Sequence, residues 1–380
     1  MNRIVSKLHF ATRFRLAIYC SLAVGGAILA PGTSAAADPP RVEKDGTVHV
    51  PAFVLPQSSF LDEKTRAALK AARDYERDLD ASPKACPSIE SANRAELPAI
   101  RKCHADAFYK TSLYKRVRDR YDVVMTSAQI GGVYTEVFTP TQGIAPKNKT
   151  RVLINLHGGG FEVGSRTFSH LESIPIASVG QIKVISIDYR QAPEYAFPAA
   201  SADVAAVYRE LLKTYKPKSI GIYGCSAGGV LTAQAVAWFE NEGLPLPGAV
   251  GMFCAAGSFW SEGDSGHISA ALAGELPDRF ATSQGSPYFK GTDPNDPLVF
   301  PVRSSRVLAR FPPSLLITST RDLALSSVVH MHSRLIAQGV DAQLHVWEGV
   351  GHFFFFDPDL PQSREVYAVT VKFFAKHLDK

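Results

Sequence analysis

Gly224-Cys225-Ser226-Ala227-Gly228-Gly229 follows the apolar run Ser219-Ile220-Gly221-Ile222-Tyr223 and precedes the helical pattern Val230-Leu231-Thr232-Ala233-Gln234-Ala235-Val236. A serine flanked by glycines between a strand and a helix implies a tight turn whose dihedrals only small neighbours permit. Such a turn lifts the hydroxyl out of the sheet edge, and the first amides of the following helix face any negative charge forming there. The stretch reads as a nucleophile elbow. A plain turn with Ser226 as helix cap is the bland alternative, and three features elsewhere argue against it.

The first is His157-Gly158-Gly159-Gly160-Phe161, directly after the buried-strand run Val152-Leu153-Ile154-Asn155-Leu156. Acyl transfer creates an oxyanion that needs preorganised amide donors, and consecutive glycines let a backbone approach and turn its N–H groups inward. No Gly-Lys-Ser/Thr follows, which argues against a phosphate loop. The expected oxyanion donors are the amides of Gly158, Gly159 and Ala227. The second and third features are Asp322, after Pro313-Ser314-Leu315-Leu316-Ile317, and His352, after His345-Val346-Trp347. Each lies just beyond a β-rich run, where loops leave the carboxyl edge of a parallel sheet. A serine hydroxyl needs a base within hydrogen-bond reach, and that imidazole needs a carboxylate to fix its tautomer. The chain order Ser226, Asp322, His352 is that of α/β-hydrolases.

With these residues in view, the chain resembles the hormone-sensitive-lipase-like branch of the α/β-hydrolases, carboxylesterases with H-G-G-G and G-D-S-A-G-G motifs. Asp188-Tyr189-Arg190-Gln191-Ala192-Pro193-Glu194 is similar to the family's D-Y-R-L-A-P-E segment, and the resemblance runs from about His157 through His352 into the terminal helix. Two positions depart from the family pattern: Cys225 stands where Asp is usual, and Gln191 where Leu is usual. The resemblance implies hydrolysis of short- to medium-chain acyl esters, no cofactor and a helical cap. Lactone hydrolysis, or amidase or peptidase chemistry, uses the same triad and stays open. A non-catalytic binding protein on this fold would normally show a damaged triad, and none is seen.

The chain has 380 residues, 46% hydrophobic and 20% charged, ample for one large core. The formal charge of +5 comes mostly from Arg3, Lys7, Arg13 and Arg15, with no acid in residues 1–37. The nearly neutral remainder argues against nucleic acid as a partner. Those cations, the apolar segment Leu16 to Ala30 and the exit Ala35-Ala36-Ala37 have the order of a secretory signal over residues 1–37. Export to the periplasm or medium is therefore expected, with no stable membrane span after processing near Ala37. Four cysteines then remain, and Cys86 with Cys103 is the expected disulfide, worth about 3 kcal/mol in the chain-entropy model. Cys225 and Cys254 are either buried thiols or a second pair. No metal-ligand spacing is present.

Residues 38–120 read as an N-terminal segment, helical over Leu61 to Leu79 and Ala95 to Arg120, contributing to a cap. Residues 121–380 read as the catalytic α/β domain. It opens on a hairpin around Gly131-Gly132, and apolar runs at Val152, Val184, Ile220, Val250, Leu315 and Leu344 then alternate with helix-length segments. That alternation predicts a mostly parallel sheet with helices on both faces. The irregular, aromatic-rich insert at about 259–306 is the expected main part of the cap over Ser226. Phe161 and Phe353-Phe354-Phe355-Phe356 fit a core role better than a binding one. The expected partner is a small ester, and a homodimer is left open.

Overall fold

A computed structural model describes residues 41–50, 54–71, 86–87, 89, 92–273 and 282–379. The expected signal segment, residues 1–37, and the second half of the expected helix at Leu61 to Leu79 lie outside the described residues. The chain divides into two compact units, residues 1–55 and 56–380. In the first, β1 (Arg41–Val42) pairs antiparallel with β2 (Val48–His49).

The second unit is built on eight strands: β3 (Val123–Ile130), β4 (Val133–Pro140), β5 (Val152–Leu156), β6 (Val184–Ile187), β7 (Ile220–Cys225), β8 (Ala249–Phe253), β9 (Ser314–Arg321) and β10 (Ala342–Gly351). Their order is β10-β9-β8-β7-β5-β6-β4-β3. The ladders from β10 through β6 are parallel, while β4 pairs antiparallel with both β6 and β3. The hairpin joining β3 to β4 turns on Gly131 and Gly132, both at positive φ, as a two-residue turn of matching twist requires. Every residue of β5, β6, β7 and β8 is buried, the mark of a sheet covered on both sides.

Among the described residues, 63–71 are helical, and the helices that follow are α1 (Leu97–Phe108), α2 (Ser112–Arg120), α3 (Phe168–Gly180), α4 (Ala199–Leu211), α5 (Ala227–Asn241), α6 (Asp264–Ala273), α7 (Ser305–Leu308), α8 (Leu325–Ala337) and α9 (Pro361–His377). Leu171 and Ile174 of α3 and Phe373 and Phe374 of α9 pack with Leu153 and Tyr223 on one face of the sheet. Val204 of α4, Val230 of α5 and Val328 of α8 pack with Ile154 and Ile222 on the other. The helical stretch expected over Ala95 to Arg120 is two helices rather than one. Thr111 adopts extended backbone and its hydroxyl accepts from the Tyr114 amide at 3.2 Å, capping α2 and ending the run.

Candidate active site

Ser226 sits between β7 and α5 with φ 57° and ψ −123°, a conformation that costs a non-glycine residue about 1–3 kcal/mol. The neighbours make it feasible, because a Cβ on either Gly224 or Gly228 would overlap the carbonyl oxygen of Leu156. Although Ser226 holds the cap position of α5, its side chain makes no capping bond. Its Oγ lies instead 3.0 Å from Nε2 of His352. That ring sits on the loop after β10, beyond a register shift between Trp347 and Gly351 that re-aims the strand end. Nδ1 of His352 lies 2.6 Å from Oδ1 of Asp322, which follows β9. Asp322 is buried, and its two oxygens accept further from the Ala324 amide and the Thr318 hydroxyl, both at 2.9 Å. The carboxylate is thus fixed from three sides, and the imidazole bridges it to the serine hydroxyl.

β5, β7, β9 and β10 run in one direction, so their carboxyl ends deliver the glycine loop, Ser226, Asp322 and His352 to a single rim. A Cβ built on Gly158 would stand 3.4 Å from that of Ser226, so the glycine loop lies against the elbow. Gly159 adopts φ 113°, and a side chain there would overlap the carbonyl of Val163. Among the described residues, no protein group accepts a hydrogen bond from the amides of Gly159, Gly160 or Ala227.

The expectation that Gly158 serves as an oxyanion donor requires correction. Its N–H donates to Oε1 of the buried Glu172 at 2.8 Å and points into the protein. An amide already donating to a buried acceptor has no hydrogen left for a second, and the open amides of the glycine run are those of Gly159 and Gly160. Sequence reasoning missed both Gly160 and Glu172. The visible signal for Glu172 was an acid inside the otherwise apolar helical run Leu171-Glu172-Ser173-Ile174-Pro175-Ile176-Ala177.

The loop is braced by its surroundings. The His157 ring stacks on Tyr189 with centroids 4.2 Å apart, and burial lowers its pKa, which favours the neutral ring. The Tyr189 hydroxyl donates to the His157 carbonyl at 2.7 Å. Gln191 donates to the Val163 carbonyl at 2.7 Å and accepts from the Ser165 hydroxyl at 3.1 Å. Arg101 of α1 donates to Glu194 and to the carbonyls of Ala192 and Glu162. The segment 188–194 is therefore a clasp on the glycine loop, which accounts for the departure at Gln191.

Phe161 is fully buried and stacks on Tyr288 at 4.2 Å, tying the loop to the insert. Phe354, Phe355 and Phe356 are core residues, while the half-buried Phe353 ring lies 4.0 Å from that of His352. Cys225 and Cys254 are buried free thiols, and burial pushes both thiol pKa values up. Among the described residues, only Cys254, Asp322 and His352 bring potential metal-ligand atoms within 4.8 Å of one another. Two of that trio are already bonded to each other, so the grouping reflects the serine relay. Among the described residues no helix is long and apolar enough to cross a membrane.

Comparison with known proteins agrees with the geometry. The model of a family with the α/β hydrolase fold matches residues 153–356, more than half of the chain. An acetyl-hydrolase of Streptomyces hygroscopicus is 28% identical over 64% of this chain and 82% of its own length. The crystal structure of esterase E25 superposes with a TM-score of 0.71 at 29% identity, covering 87% of this chain and 98% of that one. An esterase of the bacterial hormone-sensitive lipase family superposes with a TM-score of 0.68 at 26% identity, covering 83% and 99%. Strand order, serine turn and relatives converge: the chain belongs to the α/β hydrolases, as a carboxylesterase of the hormone-sensitive-lipase-like kind.

Proposed function

We propose that the chain hydrolyses short- to medium-chain acyl esters through an acyl-enzyme on Ser226. His352 Nε2 takes the hydroxyl proton as Oγ attacks the ester carbonyl, and Asp322 stabilises the resulting imidazolium. The negative charge that develops on the carbonyl oxygen is received by the amides of Gly159, Gly160 and Ala227, in the low-dielectric setting where such donors count most. The C–O bond to the alcohol then breaks and the imidazolium returns its proton to the leaving oxygen. Water repeats the sequence on the acyl-enzyme, releasing the acid and restoring the hydroxyl. The observation that carries this reading is the continuous relay, 3.0 Å from Ser226 Oγ to His352 Nε2 and 2.6 Å from Nδ1 to Asp322.

The acyl range is supported by relatives named acetyl-hydrolase. Residues 259–306, with the N-terminal helices, form the cap in this reading. Tyr288 anchors the insert, its hydroxyl accepting from the Ala200 amide at 3.0 Å, and Ser265 bonds Ser326 at the start of α8. Export after cleavage near Ala37 places Cys86 and Cys103, whose Cα atoms are 5.8 Å apart, in an oxidising compartment where they stay bridged.

A p-nitrophenyl ester series of increasing chain length, run beside simple lactones and anilides, tests the reading. The wild-type protein should turn over the shorter esters fastest. Ser226→Ala should fold normally, because its hydroxyl makes no capping bond, and lose nearly all turnover. Undiminished hydrolysis by Ser226→Ala rules the mechanism out.

A further inference from the structure

We propose that Glu172 is a positioning residue whose carboxyl locks the glycine loop to the serine turn and thereby aims the oxyanion donors; the inference rests on the reading of Ser226 as nucleophile. Glu172 lies on α3, beneath the rim, and is 3% exposed. Oε1 accepts from the Gly158 amide at 2.8 Å, while Oε2 accepts from Asn155 Nδ2 at 2.8 Å and from the Cys225 amide at 3.2 Å. One side chain thus ties residue 158, immediately before Gly159, to residue 225, immediately before Ser226. These are the two backbone points from which the open amides of Gly159, Gly160 and Ala227 project. α3 is itself held to β7, because the Tyr223 hydroxyl donates to the Glu172 carbonyl at 3.1 Å.

Among the described residues no Lys, Arg or His side chain forms an ion pair with this carboxyl. A buried carboxyl without a cation is costly to fold around, and a leucine at 172 would continue the apolar helix. The arrangement makes sense when the carboxyl supplies what leucine lacks, acceptors for two backbone amides. Burial, the largest influence, pushes Glu172 up to about 8, against the opposing pull of Gly158, Asn155 and Cys225. The titratable groups that sense its charge are Tyr189, Tyr223 and Cys225, none of them a cation.

At neutral pH the acid form therefore predominates, and it still offers an acceptor to Gly158. Its proton finds a partner if the Asn155 amide turns to present Oδ1 while Nδ2 donates to Ser186 Oγ, which now donates to Oδ1 at 2.8 Å. A glutamine at 172 keeps an acceptor for the Gly158 amide and a donor toward Asn155. Its NH2 cannot accept from the Cys225 amide, which the hydroxyl oxygen of the acid still can. Leucine has neither acceptor nor donor, and aspartate is one methylene too short to span both amides.

The test is steady-state hydrolysis of p-nitrophenyl acetate, expressed per serine titrated with a fluorophosphonate, so that misfolded protein does not count. Glu172→Gln, which keeps the bond to Gly158 and loses the one to Cys225, should lose about three- to tenfold in kcat, whereas Glu172→Leu and Glu172→Asp should lose roughly ten- to a hundredfold with KM changed less than about threefold. Wild-type kcat in folded Glu172→Leu or Glu172→Asp overturns the inference. So does a loss in Glu172→Gln as deep as in the other two, since the acceptor for the Gly158 amide is retained there. Full activity of Ser226→Ala would instead bring down the nucleophile assignment itself, an outcome separate from any result at 172.

Discussion

Two buried carboxyl groups flank the serine turn from opposite sides, and their partners differ in kind. Asp322 meets a histidine, a hydroxyl and one amide, and the histidine passes its influence to Ser226 Oγ. Glu172 meets two backbone amides and a carboxamide, with no titratable side chain among them. The first arrangement suits the proposed cycle, in which the imidazole takes up and returns a proton. The second holds main chain in place and has no charge to stabilise. Proximity to the serine therefore says little about a carboxyl's role, and the identity of its donors says much more.

The largest effect should come from the relay side. His352→Ala removes the base and should lower kcat roughly ten-thousandfold or more in ester hydrolysis, with Asp322→Asn costing somewhat less. A variant His352→Ala that retains a tenth of wild-type turnover would erase the distinction between the two sides. Next, Gly228→Ala tests the packing that makes the strained serine feasible. Its Cβ would overlap the Leu156 carbonyl, so thermal unfolding should show a loss of roughly 2–3 kcal/mol or no soluble protein at all. An unchanged melting curve would mean that the turn relaxes freely.

Smaller effects separate the two carboxyls more finely. Thr318→Val removes one of three groups holding Asp322 and should cost about three- to tenfold in kcat with an intact fold, read in the same ester assay. Glu172 should appear in the pH dependence of stability instead. Its carboxyl is raised from 4.5 to about 8 by burial, so between those values the folded state keeps a proton that the unfolded state has released. The stability tied to this group is present in full below 4.5, erodes as pH climbs and is gone above about 8. Relative to Glu172→Gln, the wild type should lose roughly 1 kcal/mol per pH unit across that window in denaturant titrations. A constant gap between the two proteins would show that Glu172 is ionised in both states.

The same contrast explains what could be read from residue order. The strands at Val152, Val184, Ile220, Val250, Leu315 and Leu344 are short apolar runs bounded by turn residues, and burial on both faces leaves them no other use. Ser226, Asp322 and His352 were legible because each follows such a run, and parallel strands bring their ends together. Glu172 announced nothing comparable. It works through backbone amides of residues 158 and 225, and no side-chain pattern records which amide an acid reaches. Gly158, Gly159 and Gly160 are chemically alike, so only the Glu172 contact separates the inward amide from the open ones. The break at Thr111 was legible in principle, since a threonine before Ser112-Leu113-Tyr114 is a helix-cap signal inside an otherwise helical stretch.

The central claim is that hydrolysis passes through the hydroxyl of Ser226. Labelling to completion with a fluorophosphonate, followed by peptide mapping by mass spectrometry and a turnover assay on the labelled protein, addresses it directly. The account predicts one adduct per chain, on Ser226, and ester hydrolysis abolished in proportion to labelling. Turnover that survives full occupancy of Ser226, or an adduct on another residue with Ser226 unmodified, would contradict it.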